Sequence, residues 1–230
     1  LIEKYGYLAL PVVDKENRLV GILTGDDAIS ILQDEASEDI AKMNAMTPSD
    51  KPYFKQSMLD VYKSRIPWLL FLMLSATFSS LVIRGYESAL AAVTVLTAYI
   101  PMLMDTGGNC GSQSSTLIIR GIALNQVTFH DFFRVIWKEF RVSLIVGVVL
   151  AVANGLRIYL TYQQAGMAIV IALSLVATVI SAKLLGCILP MCAKKIGLDP
   201  ALMASPLITT IVDASSIMIY FVIATKVFRL

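Results

Sequence analysis

Polar and apolar positions divide this chain into two unlike parts. From Pro67 to Val227 long apolar runs alternate with short charged stretches, whereas residues 1–65 change character every few positions. The long runs fall at about 67–83, 88–104, 142–160, 167–190 and 200–225, and they have the composition of five transmembrane helices. The second run is expected to break at Gly107-Gly108 and then continue as helix to about Leu124. Residues 127–141 alternate aromatic and charged positions, and Tyr53 to Arg65 sets Lys55, Lys63 and Arg65 among apolar neighbours. Both stretches read as helices lying on the membrane surface. Nearer the N-terminus, Tyr7–Asp14 and Arg18–Thr24 predict two strands about a Lys15-Glu16-Asn17 turn. Gly25-Asp26-Asp27 then opens a helix to about Gln33, its acids at the end the dipole favours.

The last run is the most informative. Pro200 to Thr225 makes roughly 39 Å of helix, with Asp213 at its midpoint as the only acid. An isolated carboxylate at that depth is costly, and so marks a candidate functional site. Ser205, Thr209, Asp213, Ser216 and Tyr220 recur at i, i+4, i+8, i+11 and i+15, within an arc of roughly 80°. A Ser/Thr/Asp stripe also serves to hold helices together. Adhesion, however, does not require an acid.

The second informative stretch is Asp105-Thr106-Gly107-Gly108-Asn109. Paired glycines permit irregular backbone, which inside a membrane is tolerated only beside protein or a water-filled cavity. The carbonyls so exposed, together with Asn109, are neutral oxygen donors suited to a hydrated hard cation. The alternative is a close-packing kink with Ser112, Ser114 and Ser115 as small interface residues. No Lys-Ser/Thr pair follows the glycines, as a phosphate loop requires. Lys183, inside the fourth run, is expected to snorkel toward the cytoplasm, with a pair to Asp105 as the alternative.

Composition narrows the class. Hydrophobic residues make up 57% of the chain and charged ones 16%, the profile of a membrane protein with a small polar appendage. A net charge of +2, without a basic aromatic patch, excludes nucleic acid as the partner. Cys110, Cys187 and Cys192 lack the spacing of a zinc site or a disulfide framework, and His130 is the only imidazole. Lys51, Lys55, Lys63, Arg65, Arg120, Arg134, Lys138, Arg141, Lys194 and Lys195 fall on one side of the spans. Only Arg84, Arg157, Lys226 and Arg229 fall on the other. Short-loop positive charge therefore places the N-terminus in the cytoplasm and the C-terminus outside. The expected architecture is an all-α membrane protein of five spans, with a cytoplasmic amphipathic helix and a partial α/β module at the N-terminus. Because the chain starts at Leu1, with neither a methionine nor a signal peptide and inside a recognisable pattern, it is expected to be part of a longer protein.

Asp199-Pro200-Ala201, followed by Pro206, Thr209-Thr210 and Asp213, resembles the last transmembrane helix of the MgtE family of magnesium channels. Pro101-Met102-Leu103-Met104-Asp105-Thr106-Gly107-Gly108-Asn109-Cys110-Gly111-Ser112-Gln113 resembles the signature of that family's second helix. The strand–turn–strand–helix of residues 1–33 is similar to the second half of a CBS regulatory module. The resemblance implies three divisions: the end of a CBS domain (1–33), an acidic linker with a plug helix (34–65) and a pore domain (66–230). It implies that Asp213 binds Mg²⁺ in a pore, that Thr209 contributes a carbonyl and that Pro206 opens the helix to allow it. Asp105, Gly107, Gly108, Asn109, Ser205, Pro206 and Ser216 would line the pathway.

The cytoplasmic acids Asp26, Asp27, Asp34, Glu35, Glu38 and Asp39 read by themselves as capping acids and a solvated face. The resemblance instead implies that Asp27, Glu35, Glu38 and Asp39 bind regulatory Mg²⁺, with Ser30 standing where an acid is expected. Oxygen-only donors disfavour copper and zinc, and a homodimer would bring two Asp213 carboxylates together about an ion. The expected protein is a homodimeric, multi-pass channel of the cell (inner) membrane. It would take up Mg²⁺ down the membrane potential and be gated by intracellular Mg²⁺. Discrimination from Co²⁺ and Mn²⁺ stays open, as does ATP binding at a CBS part outside this sequence. The alternatives are a proton- or sodium-coupled divalent cation exchanger and an intramembrane aspartyl hydrolase using Asp105 and Asp213. The hydrolase requires the two carboxylates to share a water, whereas Asp105 is expected near a membrane face and Asp213 centrally.

Overall fold

The structure is a computed structural model that describes residues 1–49, 51–87 and 94–229. A single helical turn, α1 (Ile2–Tyr5), precedes an antiparallel hairpin of β1 (Ala9–Val13) and β2 (Leu19–Thr24). The Asp14 carboxylate closes the turn by accepting the Glu16 and Arg18 backbone N–H groups, each at 2.9 Å. Val12, Val13, Leu19, Val20 and Ile22 are all exposed, so the hairpin has no core of its own.

α2 (Gly25–Met43) starts at a reciprocal cap between Thr24 and Asp27. It continues past Gln33, across the boundary expected at 33/34. Nothing in Asp34 to Lys42 breaks a helix, and Lys42 supports it by pairing one turn back with Glu38 at 2.5 Å. The separate surface helix expected over Tyr53–Arg65 is not formed. One 3-10 turn, Tyr53–Lys55, leads to a Ser57 cap, and α3 (Met58–Gly85) runs from there through Pro67 to the end of the first span.

A 3-10 segment, Thr94–Tyr99, precedes α4 (Ile100–Ala123); the first residues of the expected second span, 88–93, lie outside the described residues. The break expected at Gly107-Gly108 is absent, because α4 is regular helix throughout. The surface helix expected at 127–141 is likewise absorbed into the third span. After the turn Phe129–Asp131, α5 (Phe132–Tyr162) is continuous. α6 (Ala165–Lys195) follows. The last span, expected to be continuous from 200, is instead a 3-10 turn (Pro200–Met203), an extended residue at Ala204 and then α7 (Ser205–Phe228). Pro206 therefore starts a helix, the position its missing N–H suits, rather than opening one.

α6 is the central element, packed against α4, α5 and α7, and α3 lies at the edge against α7. The main core, toward the end of the bundle away from α2, gathers Leu96, Leu103, Ile158, Val170, Ile171, Leu175, Ile217 and Phe221. Among the described residues, α3, α5, α6 and α7 (the last with its leading turn) are long and apolar enough to cross a membrane. α4 spans about 36 Å beside α6 and α7, but it carries a polar strip. The chain is a mostly α-helical, multi-pass membrane protein.

What replaces the expected break in α4 is a pair of close crossings. A Cβ at Gly186 of α6 would fall onto the Gly111 carbonyl oxygen of α4. A Cβ at Gly107 would come within 2.8 Å of Ser216 Oγ and Thr178 Cγ2. Both helices approach nearer than any side chain allows, which is the packing role of small residues in membranes.

Candidate functional site

Asp213 lies half-buried on α7, facing α4 at Gly108. A Cβ at Gly108 would lie 3.8 Å from Asp213 Oδ1 and 3.1 Å from Thr209 Cγ2. The bare backbone of Gly108 is thus what leaves room for Thr209, with the carboxylate at ordinary contact distance beside it. On α4, Asp105, Asn109, Ser112, Gln113 and Thr116 share an arc of roughly 100°. All five are exposed or half-buried. Asp105 comes within electrostatic reach of Asp213. The α4–α7 seam brings the two acids into one polar strip. At its end nearer α2, Ser112 and Ser205 hydroxyls meet at 2.9 Å, and Ser115 Oγ donates to the Met203 carbonyl at 2.9 Å. These bonds hold the start of α7 against α4.

Other expected site residues are placed differently. Gly107 and Ser216 are buried between helices, and Ser216 Oγ donates to the Val212 carbonyl at 2.6 Å. Thr209 sits inside regular helix, with its hydroxyl donating to the Pro206 carbonyl at 3.0 Å. A backbone carbonyl there belongs to the helix ladder, so helix opening at Pro206 is not what Thr209 relies on. Tyr220, the last member of the stripe, is buried and donates to the Leu96 carbonyl at 3.0 Å.

At one end of the bundle, α2 docks on the turn that leads into α7. Lys42 Nζ donates to Asp199 Oδ2 at 2.7 Å, and Asp199 Oδ1 accepts the Ala201 N–H at 2.9 Å. Glu35, Asp39, Lys42, Lys194 and Asp199 line the cleft between them. Burial, with Asp199 nearby, pushes the Asp39 carboxyl above its ordinary value despite Lys42. Burial also acts to raise Asp199, but hydrogen bonds from Lys42 and the Ala201 N–H outweigh it and hold that carboxyl low. The bonds to Asp199 and Glu38 hold Lys42 charged. Asp27 stands apart, accepting from Thr24 Oγ1 at 2.6 Å as a helix cap. Among the described residues, no three His, Cys, Asp or Glu side chains converge as a preformed metal cage.

Lys183 does not snorkel. It is 6% exposed, and its partners are Ser114, at 3.3 Å, and Glu139, at 3.9 Å, rather than Asp105 or Asp213. Lys183 therefore forms no pair with the carboxylates of the strip. Glu139, Lys42 and Asp199 are the functional-site neighbours that sequence reasoning missed. Only Lys42 left a local signal, standing one helical turn after Glu38.

Over residues 100–223 the chain matches the MgtE family, described as divalent cation transporter, and over residues 1–34 it matches the CBS domain. It is 39% identical over 224 residues to a Magnesium transporter MgtE of Thermus thermophilus, covering 97% of this chain and 50% of that protein. A protein of the same name from Bacillus subtilis is 37% identical over 225 residues, covering 98% of this chain and 49% of its own length. The chain thus spans about half the length of the curated relatives it matches. With the apolar helices, the polar α4–α7 seam and the matched region in agreement, the chain belongs to the MgtE family of divalent cation transporters.

Proposed function

We propose that this chain forms the conducting part of a Mg²⁺ channel, a homodimer whose pathway runs along the α4–α7 seam. The observation that carries this reading is the strip of Asp105, Asn109, Gln113, Thr116 and Asp213. It is open on one protomer, yet α7 is long and apolar enough to cross a bilayer and α4 packs along it. Lipid is a poor cover for such a strip; a second copy around water is a good one. The donors are oxygens throughout, and few of them converge on one protomer. That arrangement fits a cation that keeps most of its water better than it fits a tight cage. The named relatives are magnesium transporters, which supports Mg²⁺ as the substrate. The cytoplasmic N-terminus and outer C-terminus follow from the loop charges. A divalent ion moving inward then gains about 4.6 kcal/mol per 100 mV, enough to drive uptake without a coupled ion.

In this reading Asp213, beside Thr209 and paired with Asp105, attracts and orders the hydrated ion, and Ser205 and Pro206 shape the inner end of the seam. The CBS tail, acidic helix and pore divisions work in series. Mg²⁺ held by Glu35, Glu38 and Asp39, with Asp27 at the other end of α2, favours the closed arrangement. An exchanger would use the same Asp105–Asp213 pair to carry a proton. Flux into voltage-clamped proteoliposomes separates the two. A channel gives Mg²⁺ current that reverses with voltage and is independent of a proton gradient, whereas an exchanger's flux follows pH. Asp213→Ala is expected to abolish Mg²⁺ current in protein that still purifies as a dimer. Wild-type current in that variant would overturn the assignment.

A further inference from the structure

Behind the strip, on the opposite face of α4, lies the one buried ion pair of the bundle among the described residues. Ser114 Oγ donates to Glu139 Oε2 at 2.7 Å and lies 3.3 Å from Lys183 Nζ, so a hydroxyl from α4 bridges a carboxylate on α5 to an ammonium on α6. The two charged side chains are 13% and 7% exposed, and Ser114 is fully buried. Charges at this depth are costly, and apolar residues of like size would pack here at no such cost. The site is one helical turn from the Gly111–Gly186 crossing, where α4 and α6 touch backbone to backbone. Ser114 stands roughly 180° around α4 from Asp105. A turn of α4 about its axis would therefore move the strip only by tearing Ser114 from both charges.

We infer that Lys183, Ser114 and Glu139 form a positioning lock. It sets the rotation of α4 and so aims Asp105 and Asn109 at the pathway beside Asp213. The glycine crossing alone leaves this rotation loosely defined, because bare backbone offers no side chain to index one helix against another. The Ser112 and Ser115 bonds index α4 against the start of α7, and the hydroxyl held between opposite charges indexes it against α5 and α6. The inference rests on the reading of the seam as the ion pathway. It adds three residues that contact no ion.

The test uses Ser114→Ala, which removes the bridging hydroxyl without leaving either charge without its partner. Cys110, buried on α4 between the strip and Ser114, serves as a built-in reporter once Cys187 and Cys192 are replaced by Ala. Losing a hydrogen bond to charged groups shifts a two-state arrangement roughly tenfold. Labelling of Cys110 by a water-soluble thiol reagent, in reconstituted dimer, is expected to speed up by about that factor. Selectivity for Mg²⁺ over monovalent cations is expected to fall, while thermal stability changes little. Lys183→Met, which strands Glu139, is expected to lower stability as well. Unchanged labelling and unchanged selectivity in Ser114→Ala would overturn the lock. Absence of Mg²⁺ current in the parent protein would instead overturn the channel reading, and the labelling result would still judge the lock.

Discussion

Replacing Gly186 with alanine puts one methyl group where α6 meets α4. Its Cβ would sit on the Gly111 carbonyl oxygen and within 3.2 Å of Ser114 Cβ. The obstacle is backbone on a neighbouring helix, so no side-chain rotation relieves it and the helices must part. Overpacking of this kind costs on the order of 3 kcal/mol. Alanine returns about 1 kcal/mol in helix propensity, leaving a net loss of about 2 kcal/mol. For a domain of this size that lowers Tm by about 4–8 °C. Gly155→Ala makes the same chemical change on α5, where the nearest atoms are Ala172 Cβ at 3.4 Å and the Ala168 carbonyl oxygen at 3.7 Å. There the propensity gain stands nearly alone, and Tm is expected to rise by about 2–4 °C. Thermal unfolding of both variants in the same detergent, followed by size-exclusion chromatography, measures the difference. A Gly186→Ala protein as stable as the parent would refute the claim that the α4–α6 crossing is at backbone contact.

Asp213→Asn, which keeps the shape but not the charge, should leave ion passage while weakening the preference for divalent over monovalent cations; reversal potentials in mixed salts report it. Neutralising Glu35, Glu38 and Asp39 together should preserve conduction and shift inhibition by cytoplasmic Mg²⁺ to higher concentration. Holding a gate from 1:99 to 99:1 takes roughly 5.5 kcal/mol of differential binding, more than one surface carboxylate supplies; an unchanged inhibition curve would leave these acids as a solvated face. Docking of α2 should also respond to pH. Because Asp39 is held above its ordinary value when docked, docking takes up protons there and strengthens as pH falls from neutral toward the ordinary carboxylate range. Asp199, held low, has the opposite sign: its bond to Lys42 is present above its ordinary value and is lost only in stronger acid. The protection of the α2 amides, meaning their exchange rate relative to the intrinsic rate at each pH, should therefore rise on mild acidification, and Asp39→Asn should remove that rise.

Much of this protein is legible in the order of its residues, because a bilayer imposes a simple rule. Every crossing segment must be long, helical and apolar, so the spans announce themselves in hydropathy. A polar stripe with a lone acid stands out against that background for the same reason, and it marks Asp213, whereas Asp105 is marked by the paired glycines beside it. The helix ends were less legible. The amphipathic stretches at 53–65 and 127–141 have the pattern of surface helices, yet the second meets no breaker before its span, and the first runs as helix from Met58 straight through Pro67.

Tertiary structure alone decided what the glycines and buried charges do. Gly107-Gly108 carries the same local signal whether it breaks a helix or lets another helix approach. Only the positions of Ser216, Thr178 and Thr209 opposite it select close packing. Glu139 and Lys183 lie on different helices, and Lys42 and Asp199 are 157 residues apart, so no periodicity within a segment links either pair. A hydrophobic pattern records which face of a helix is buried. It does not record which neighbour the face meets, and for a charge inside a membrane the neighbour decides whether it is tolerated.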